Sequence, residues 1–276
     1  MSSITRFLPK NHLSYLVGRL VHIRWPKFLN CFLISRFAAA YHINLQEAEF
    51  PIEEYPSLGD FFVRRLKSGL RPVADSWAVH PADSVITQAG VMTEGLLIQA
   101  KNKTYSLQNF TRDAQALSKW GNGLFLTYYL CPTDYHRVHS PVTGKIQRVV
   151  HIPGALWPVN NWSTENIHEL FSINERVLVE IQTDRGLVGV MFVGATNVGQ
   201  IILSFDQEIR GNQLLSSSIF EKTYTNLSIK KGDELGMFRM GSTVVMIYPP
   251  EAFLVKAGEV EAVLKKSVQV GGALHF

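Results

Sequence analysis

The sequence predicts an α+β protein in which helices come first and a mostly antiparallel β-rich body follows. Residues 11–41 carry apolar side chains at helical spacing. From about residue 80 the chain changes to short apolar runs separated by turn residues, which is typical of antiparallel strands. Hydrophobic residues make up 46% of the 276 residues and charged residues 18%, so the chain can bury a sizeable core.

The first 46 residues form a basic leader. They contain six Lys and Arg residues and no acid, whereas residues 47–276 contain 21 basic and 23 acidic residues. We predict one amphipathic helix at 11–24. A second helix, apolar and basic, is predicted to run to about residue 41 with Pro26 in its first turn. The pair could pack on the body as ordinary helices, but this composition favours a membrane-facing anchor on anionic lipid.

Other partners and segments fit the leader less well. Its aliphatic and aromatic content suits lipid better than nucleic acid, and no nucleic-acid-binding motif is present, so we expect no nucleic acid partner. The leader lacks the layout of a secretory signal peptide, and its apolar run at 28–41 is too short to span a bilayer. We therefore predict a membrane-association segment at 1–46 and one main domain at 47–276.

The predicted elements of the main domain follow in order. Ser57 is expected to cap a short helix through residues 61–66 that ends at Gly69. Brief helices are expected at about 107–117 and 166–171, and residues 184–186 are expected to form a hairpin turn. The predicted strands share short apolar runs between turn residues, and they cover residues 85–87, 96–100, 124–130, 146–152, 177–183, 187–193, 198–205 and 244–248.

His136 and His139 form the most informative polar pair. Their spacing would place both on one face of a helix, as in a zinc site, but Pro132 and Pro141 bracket the segment and argue against a continuous helix. In a strand the two side chains would point to opposite faces and have different partners. Two structurally satisfied histidines at a strand end remain an alternative, and we expect no metal.

Asp83 and the Gly241-Ser242 step could complete a catalytic arrangement. Asp83 could be an ordinary turn carboxylate, or it could orient a histidine. Gly241-Ser242 could be a tight entry into a strand, or Ser242 could attack the Gly241 carbonyl if a base removed its proton.

The cysteines add little to this picture. Cys31 and Cys131 show no disulfide spacing, which favours a reducing compartment. Cys131 fits a small buried hydrophobe better than a nucleophile.

Seven short motifs follow one another along the chain. They are HPAD (80–83), KNKTYSL (101–107), DYHRVHSPVTG (134–144), PGALWPVN (153–160), NER (174–176), VGATNVG (193–199) and GMFRMGST (236–243). Taken in this order, they resemble the phosphatidylserine decarboxylase family of prokaryotic type. A segment before the β body, FFVRRL at 61–66, is also similar to that family. Ser84 and Met240 stand where the family usually has glycine and leucine.

The resemblance implies self-cleavage at the Gly241-Ser242 bond. Ser242 is implied to be the nucleophile, His139 its base and Asp83 the carboxylate that orients His139. The products would be a large chain 1–241 and a small chain 242–276 whose first residue, Ser242, has become a pyruvoyl group. That pyruvate-derived cofactor would form an imine with phosphatidylserine and release CO₂ to give phosphatidylethanolamine, and His136 would assist decarboxylation or reprotonation.

The resemblance also implies a setting for this activity. We expect a homodimer that sits peripherally on the cytoplasmic face of the cell membrane and takes phosphatidylserine from the anionic surface. Three alternatives remain open at this point. They are a pyruvoyl decarboxylase of a soluble amino acid, an unprocessed β-rich lipid-binding protein, and a zinc hydrolase.

Overall fold

The computed structural model describes residues 10–100, 103–196, 200–209, 211, 218–239, 242–255 and 258–276. Of residues 10–15 and 242 it describes the backbone alone. Gly241 and parts of the motifs at 101–107 and 193–199 lie outside the described residues. The α-helices are α1 Lys10–Val21, α2 Lys27–Ala40, α3 Leu58–Phe62, α4 Leu107–Thr111, α5 Ala116–Trp120, α6 Asn161–Asn166 and α7 Leu170–Ile173.

The described strands pair antiparallel throughout. In chain order they are β1 Ser84–Val91, β2 Leu96–Ala100, β3 Lys103–Ser106, β4 Leu124–Leu130, β5 Arg137–His139, β6 Gly144–Ile152, β7 Arg176–Thr183, β8 Gly186–Val193, β9 Ile201–Leu203, β10 Phe220–Ile229, β11 Glu234–Phe238, β12 Ser242–Tyr248 and β13 Ser267–Val268. The predicted α+β class with a mostly antiparallel body is therefore confirmed.

Within the described residues, eight strands form the main sheet in the order β10-β6-β7-β8-β12-β4-β1-β13. A smaller sheet has the order β5-β11-β9, and β2 pairs with β3. The strand β12 therefore lies in the middle of the main sheet, with β8 on one side and β4 on the other. The side chains of Val244 to Tyr248 are all fully buried, so this strand is part of the core.

The leader packs on the body through a second, smaller core. Ile34 and Ala38 of α2 are buried against Tyr55 and Phe61, so this core joins residues on both sides of the predicted boundary at 46. Pro26 precedes α2 as its N-cap residue rather than lying in the first turn. In the described part of the chain, no helix has the length and apolar character needed to cross a membrane.

The predicted helix at 61–66 is wrong in its second half. Ser57 does cap α3, because its hydroxyl oxygen accepts a hydrogen bond from the Asp60 N–H at 3.1 Å. The helix ends at Phe62, however, since the following residues pair with an extended segment. The Glu49 N–H donates to the Arg65 carbonyl and the Lys67 N–H to the Glu47 carbonyl, each at 2.9 Å. This long-range pairing overrides the local helical preference.

The predicted helix at 107–117 is split into α4 and α5. Arg112 takes a left-handed backbone conformation with φ of 55°, which ends α4. The region around the predicted helix at 166–171 is likewise divided, because Glu169 has φ of 48° between α6 and α7. The hairpin turn at 184–186 is confirmed, since Gly186, with φ of 96°, joins β7 to β8 across the Thr183–Gly186 pair.

Candidate active site

The strand β11 ends shortly before the Gly241-Ser242 peptide bond, and the strand β12 begins at Ser242. On the far side of this step, Ser242 pairs with Leu130 of β4, and Thr243 pairs with both Tyr129 and Val193. The bond in question therefore immediately precedes a central strand that is hydrogen-bonded on both sides. The side chain of Ser242 lies outside the described part of the structure.

The segment 130–139 runs along both strands that flank this step. Its first residue, Leu130, is opposite Ser242. After a turn in which Asp134 accepts a hydrogen bond from the Cys131 N–H at 2.7 Å, the chain reaches His136, whose carbonyl accepts from the Phe238 N–H at 3.1 Å. The strand β5 then pairs with β11 as far as the His139–Glu234 pair. Both histidines thus belong to the segment that borders the Gly241-Ser242 bond.

Asp83 is almost buried at the entry to β1, with 7% of its surface exposed. Its carboxylate accepts hydrogen bonds from the Arg71 guanidinium at 2.6 to 3.0 Å and from the Val270 N–H at 2.8 Å. The same guanidinium donates to Glu47 at 2.9 Å. Ser84, which replaces the family's usual glycine, starts β1 and is not one of the positive-φ residues, so the replacement causes no backbone strain there.

His139 is held in one tautomer by its two hydrogen bonds. Its Nδ1 lies 2.7 Å from the Gly232 carbonyl oxygen, which can only accept, so Nδ1 carries the proton. Its Nε2 lies 3.1 Å from the Tyr135 hydroxyl and accepts from it. Burial is the largest effect on the pKa of His139 and lowers it, while the Gly232 carbonyl, Glu234 and Asp83 act in the opposite direction. The ring is therefore neutral near pH 7, with a basic nitrogen at Nε2.

His136 is fully buried and also neutral. Its Nδ1 donates to the Asp134 carbonyl at 2.9 Å, and its ring packs on Phe62 with centroids 4.1 Å apart. Burial lowers the pKa of His136 to about 3, and the positive charge of Arg64 contributes in the same direction. Its Nε2 is buried and has no hydrogen-bond partner among the described residues. Such an unpaired lone pair is costly in a core and is typical of a functional site.

Asp83 and His139 come from neighbouring backbones. The His139 N–H donates to the Pro81 carbonyl at 2.8 Å, and the charge of Asp83 reaches His139 strongly enough to act on its pKa. No hydrogen bond joins the two side chains in the described part of the structure, because Asp83 is bonded to Arg71 and His139 to Gly232. The Asp83–His139–Ser242 arrangement and its roles therefore stay predictions.

Three participants were missed by sequence reasoning. Arg71 holds Asp83, Tyr135 donates to His139, and Phe62 packs on His136. Tyr135 lies inside the DYHRVHSP motif and could have been suspected from that position. Phe62 lies in the FFVRRL segment, but nothing local indicates that it packs on His136. Arg71 lies in no motif, and only the fold brings it to Asp83.

Two cavities lie near the Gly241-Ser242 bond. One of about 870 Å³ is lined by Thr243, Tyr129, Val159 and Asn160 among others, so part of the PGALWPVN motif faces it. Another, of about 640 Å³, lies between the leader and the chain that enters the step, and Arg239 lines it. Within the described residues, no three His, Cys, Asp or Glu side chains cluster closely enough to hold a metal ion, and both cysteines are free.

Comparison with known proteins decides the family. The family model for phosphatidylserine decarboxylase matches residues 58–274, which is most of the chain. The chain belongs to the phosphatidylserine decarboxylase family. The phosphatidylserine decarboxylase proenzymes of Anaeromyxobacter sp. (strain K) and Myxococcus xanthus are 37% and 36% identical to it, and each match covers 90% of this chain and 89% of the relative. A proenzyme of the same name from Francisella philomiragia is 38% identical, over 88% of this chain and 86% of its own.

The relatives are named as proenzymes, that is, as precursors that require processing. As a member of this family, the chain is a decarboxylase precursor.

Proposed function

We propose that the chain is the precursor of a pyruvoyl-dependent phosphatidylserine decarboxylase that cleaves itself between Gly241 and Ser242. One observation carries the proposal. The step between these residues opens a central core strand, and the segment that bears His136 and His139 is hydrogen-bonded along both sides of it. A break at that position would leave the new chain end next to the segment that carries these two neutral histidines.

His139 has the properties of the base that cleavage requires. It is neutral, and Nε2 holds the lone pair that can take the proton of the Ser242 hydroxyl. To do so it must exchange the Tyr135 hydroxyl for that of Ser242. The nearby negative charge of Asp83 stabilises the imidazolium that forms.

The covalent steps balance without any added oxidant or reductant. The Ser242 oxygen bonds to the Gly241 carbonyl carbon, and the peptide nitrogen leaves as an amine, which gives an ester. Elimination then breaks the bond between that oxygen and the Ser242 Cβ, and Gly241 leaves as a carboxylate. Water finally replaces the nitrogen, which departs as ammonia, and a ketone remains at the start of the small chain.

The fold explains how the two products would stay together. The small chain 242–276 contains β12, which pairs with β8 and β4 of the large chain, and β13, which pairs with β1. The side chains of Val244 to Tyr248 are fully buried between those neighbours. Burial of such a strand contributes several kcal/mol, on the order of 1.5–3 kcal/mol for each large apolar side chain.

The pyruvoyl group fits this place because it forms from Ser242 itself and supplies an electron sink for loss of CO₂. His136 is the residue best suited to move a proton there. Its Nε2 is unpaired, its pKa is lowered by burial, and it therefore carries a lone pair at any pH above about 3. A positioned histidine of this kind typically contributes about 10²–10⁴-fold to a rate.

The leader supplies a surface for lipid. Phe28 and Phe32 of α2 are 78% and 60% exposed, and Leu16 and Leu20 of α1 are about half exposed. Lys27, Arg24 and Arg36 are exposed beside them, which suits the anionic cytoplasmic leaflet. This supports a peripheral position on the cytoplasmic face of the cell membrane. We include a homodimer in the proposal as the family resemblance implies it, and sedimentation of the purified protein tests it.

The activity is tested by mixing the purified protein with phosphatidylserine in mixed micelles and measuring phosphatidylethanolamine and CO₂. We expect conversion by the wild type and none by Ser242→Ala. Equal turnover of free serine in detergent-free buffer would instead favour a decarboxylase of a soluble amino acid. Lipid binding without turnover by either protein would favour the lipid-binding alternative.

A further inference from the structure

The cavity of about 640 Å³ lies where the leader meets the chain that enters the cleavage step. Its apolar wall comes from Leu16, Leu20 and Ile23, in α1 and just after it. Its polar lining includes His22, Gln200 and Arg239. The three apolar side chains are also between 37% and 53% exposed to solvent, so the cavity opens among side chains that suit lipid.

Arg239 brings a positive charge into this cavity. It directly follows β11, and its backbone N–H donates to the Gln200 carbonyl at 2.9 Å, which fixes where its side chain starts. Its Nε is buried and has no hydrogen-bond partner in the described part of the chain. An uncompensated guanidinium in a partly buried position costs free energy that a bound anion would recover.

His22 carries no negative charge that could offset the positive charge of Arg239. Burial lowers the pKa of His22 most, the charge of Arg239 lowers it further, and the more weakly acting Asp60 raises it. Asp60 is itself engaged by the Ser57 hydroxyl at 2.7 Å. His22 is therefore neutral near pH 7, and its Nε2 is buried with no partner in the described part of the chain. The cavity thus offers polar groups and a net positive charge.

The position of Arg239 relative to Ser242 suits a phosphodiester. The chain between these residues spans at most about 11 Å when fully extended, and an arginine side chain is long enough to bridge much of that distance. In a phosphoserine headgroup, the ester oxygen of the phosphate and the amine are joined through only two carbon atoms. An amine that reacts at Ser242 would therefore keep its phosphate within reach of the Arg239 guanidinium. The planar guanidinium also matches phosphate geometry better than an ammonium does.

We propose that Arg239 binds the phosphodiester of phosphatidylserine in this cavity, beside Gln200 and His22, and so sets the preference for phospholipid over free serine. This inference rests on the proposed function, because it concerns the substrate of the same site. The apolar wall formed by Leu16, Leu20 and Ile23 receives the glycerol and the start of the acyl chains, which connects the cavity to the exposed surface of the leader.

The test compares two soluble substrates that differ in the phosphate. Dihexanoyl-phosphatidylserine below its micelle concentration carries the phosphodiester, whereas O-hexyl-serine carries the same amine and carboxylate without it. For Arg239→Met we expect kcat/KM to fall about 10- to 100-fold on the first substrate, mainly through KM, as loss of a charged hydrogen bond implies. We expect no change on the second substrate and partial recovery with Arg239→Lys. Arg112→Met, which removes an exposed arginine outside the cavity, should behave as wild type on both.

A second measurement uses the wild type itself. Dihexanoyl-phosphatidylmethanol carries the phosphodiester but no amine, so it should inhibit the wild type competitively and R239M at least 10-fold less. All comparisons use protein whose cleavage is complete by intact mass, and R239K takes the place of R239M if the latter stays uncut.

The outcomes separate this inference from the proposed function. An equal loss on both substrates would overturn the inference, because it would indicate a structural or chemical role for Arg239. No loss on either would also overturn it, and would indicate that another group, such as the Gly241 carboxylate released by cleavage, neutralises Arg239. A wild type that remains uncut or inactive on both substrates would overturn the proposed function, and this inference with it.

Discussion

The guanidinium of Arg71 contacts both carboxylate oxygens of Asp83. Its Nε lies 3.0 Å from each oxygen, and its Nη2 lies 2.6 Å from Oδ2. The same Nη2 also donates to Glu47 at 2.9 Å. Arg71 therefore links Asp83, which the family resemblance implies in cleavage, to Glu47, the first acidic residue after the basic leader. Asp83 is thus fixed in orientation and compensated in charge before any cleavage occurs.

Arg71→Met should slow self-cleavage without unfolding the protein. Asp83 would lose its charged hydrogen bonds and keep only the Val270 N–H, so its orientation toward His139 would relax. We expect the cleavage rate to fall about 10- to 100-fold, with partial recovery in Arg71→Lys, as measured by the time course of chain separation on a denaturing gel. Glu47→Gln weakens the other hydrogen bond of the Arg71 guanidinium and is the matched control. It should lower the cleavage rate less than Arg71→Met does. An unchanged rate in Arg71→Met would show that the contact is only structural.

Self-cleavage should persist below the pH at which an ordinary histidine becomes protonated. The base must be unprotonated, and burial lowers the pKa of His139 from its usual 6.5. The cleavage rate should therefore be constant at neutral pH and fall to half at a pH below 6.5. Freshly refolded precursor, sampled over a pH series, gives this profile.

Tyr135→Phe tests whether Nε2 of His139 is the base in self-cleavage. Burial raises the pKa of Tyr135 to about 12, so its hydroxyl remains a donor to His139 Nε2 throughout this range. Removing that donor destabilises the neutral ring, and the midpoint of the cleavage profile should move to higher pH. The rate at pH 8 should not fall, because Nε2 no longer has to exchange a partner. A large loss at pH 8 would indicate that Tyr135 acts in the reaction itself.

How far the sequence predicts this protein depends on whether the relevant signal is local. The strand 124–130 is predicted with its correct bounds because it is apolar except at Thr127 and buried except at Tyr129. The edge strand β10 was missed, since most of its side chains are exposed and its composition is polar. At the site, His136, His139, Asp83 and Ser242 could be singled out by motif. Arg71 could not, because its significance lies in the distant residues that the fold brings to it. Arg239 lies in the GMFRMGST motif, but only the fold shows that it lines a cavity with residues of the leader.

Acid should destabilise the uncut precursor through its buried histidines. Burial holds the pKa of folded His136 at about 3, whereas the unfolded chain takes up this proton near pH 6.5. Since the unfolded state binds more protons between these values, the free energy of unfolding falls as pH drops below 6.5, by about 1.4 kcal/mol per pH unit for this residue. His80 contributes in the same direction, because burial lowers its pKa to about 4.

Urea unfolding of Ser242→Ala at a series of pH values measures this slope. In a Ser242→Ala background, His136→Gln should reduce the slope between pH 6.5 and 5 by about 1.4 kcal/mol per pH unit. The exposed His168→Gln is the matched control and should leave the slope unchanged. Equal slopes in all three proteins would mean that His136 is protonated in the folded state.

The exposed aromatic side chains of α2 should carry much of the membrane affinity. Phe28→Ser and Phe32→Ser should each lower partitioning onto anionic vesicles by about 10-fold or more, since burying a phenylalanine contributes on the order of 1.5–3 kcal/mol. Leu254→Ser changes a 97% exposed apolar residue outside the leader and is the matched control. Cosedimentation with vesicles measures the effect. Equal partitioning of all variants would place the membrane contact elsewhere.

Self-cleavage at Gly241-Ser242 is tested most directly by the intact mass of the purified wild type beside Ser242→Ala. We expect two wild-type chains, 1–241 and 242–276, with the small chain lighter than its unmodified sequence by the mass of ammonia and without a free amine. Ser242→Ala should remain a single chain. A single uncut wild-type chain, or a small chain that retains its amino terminus, would contradict the account.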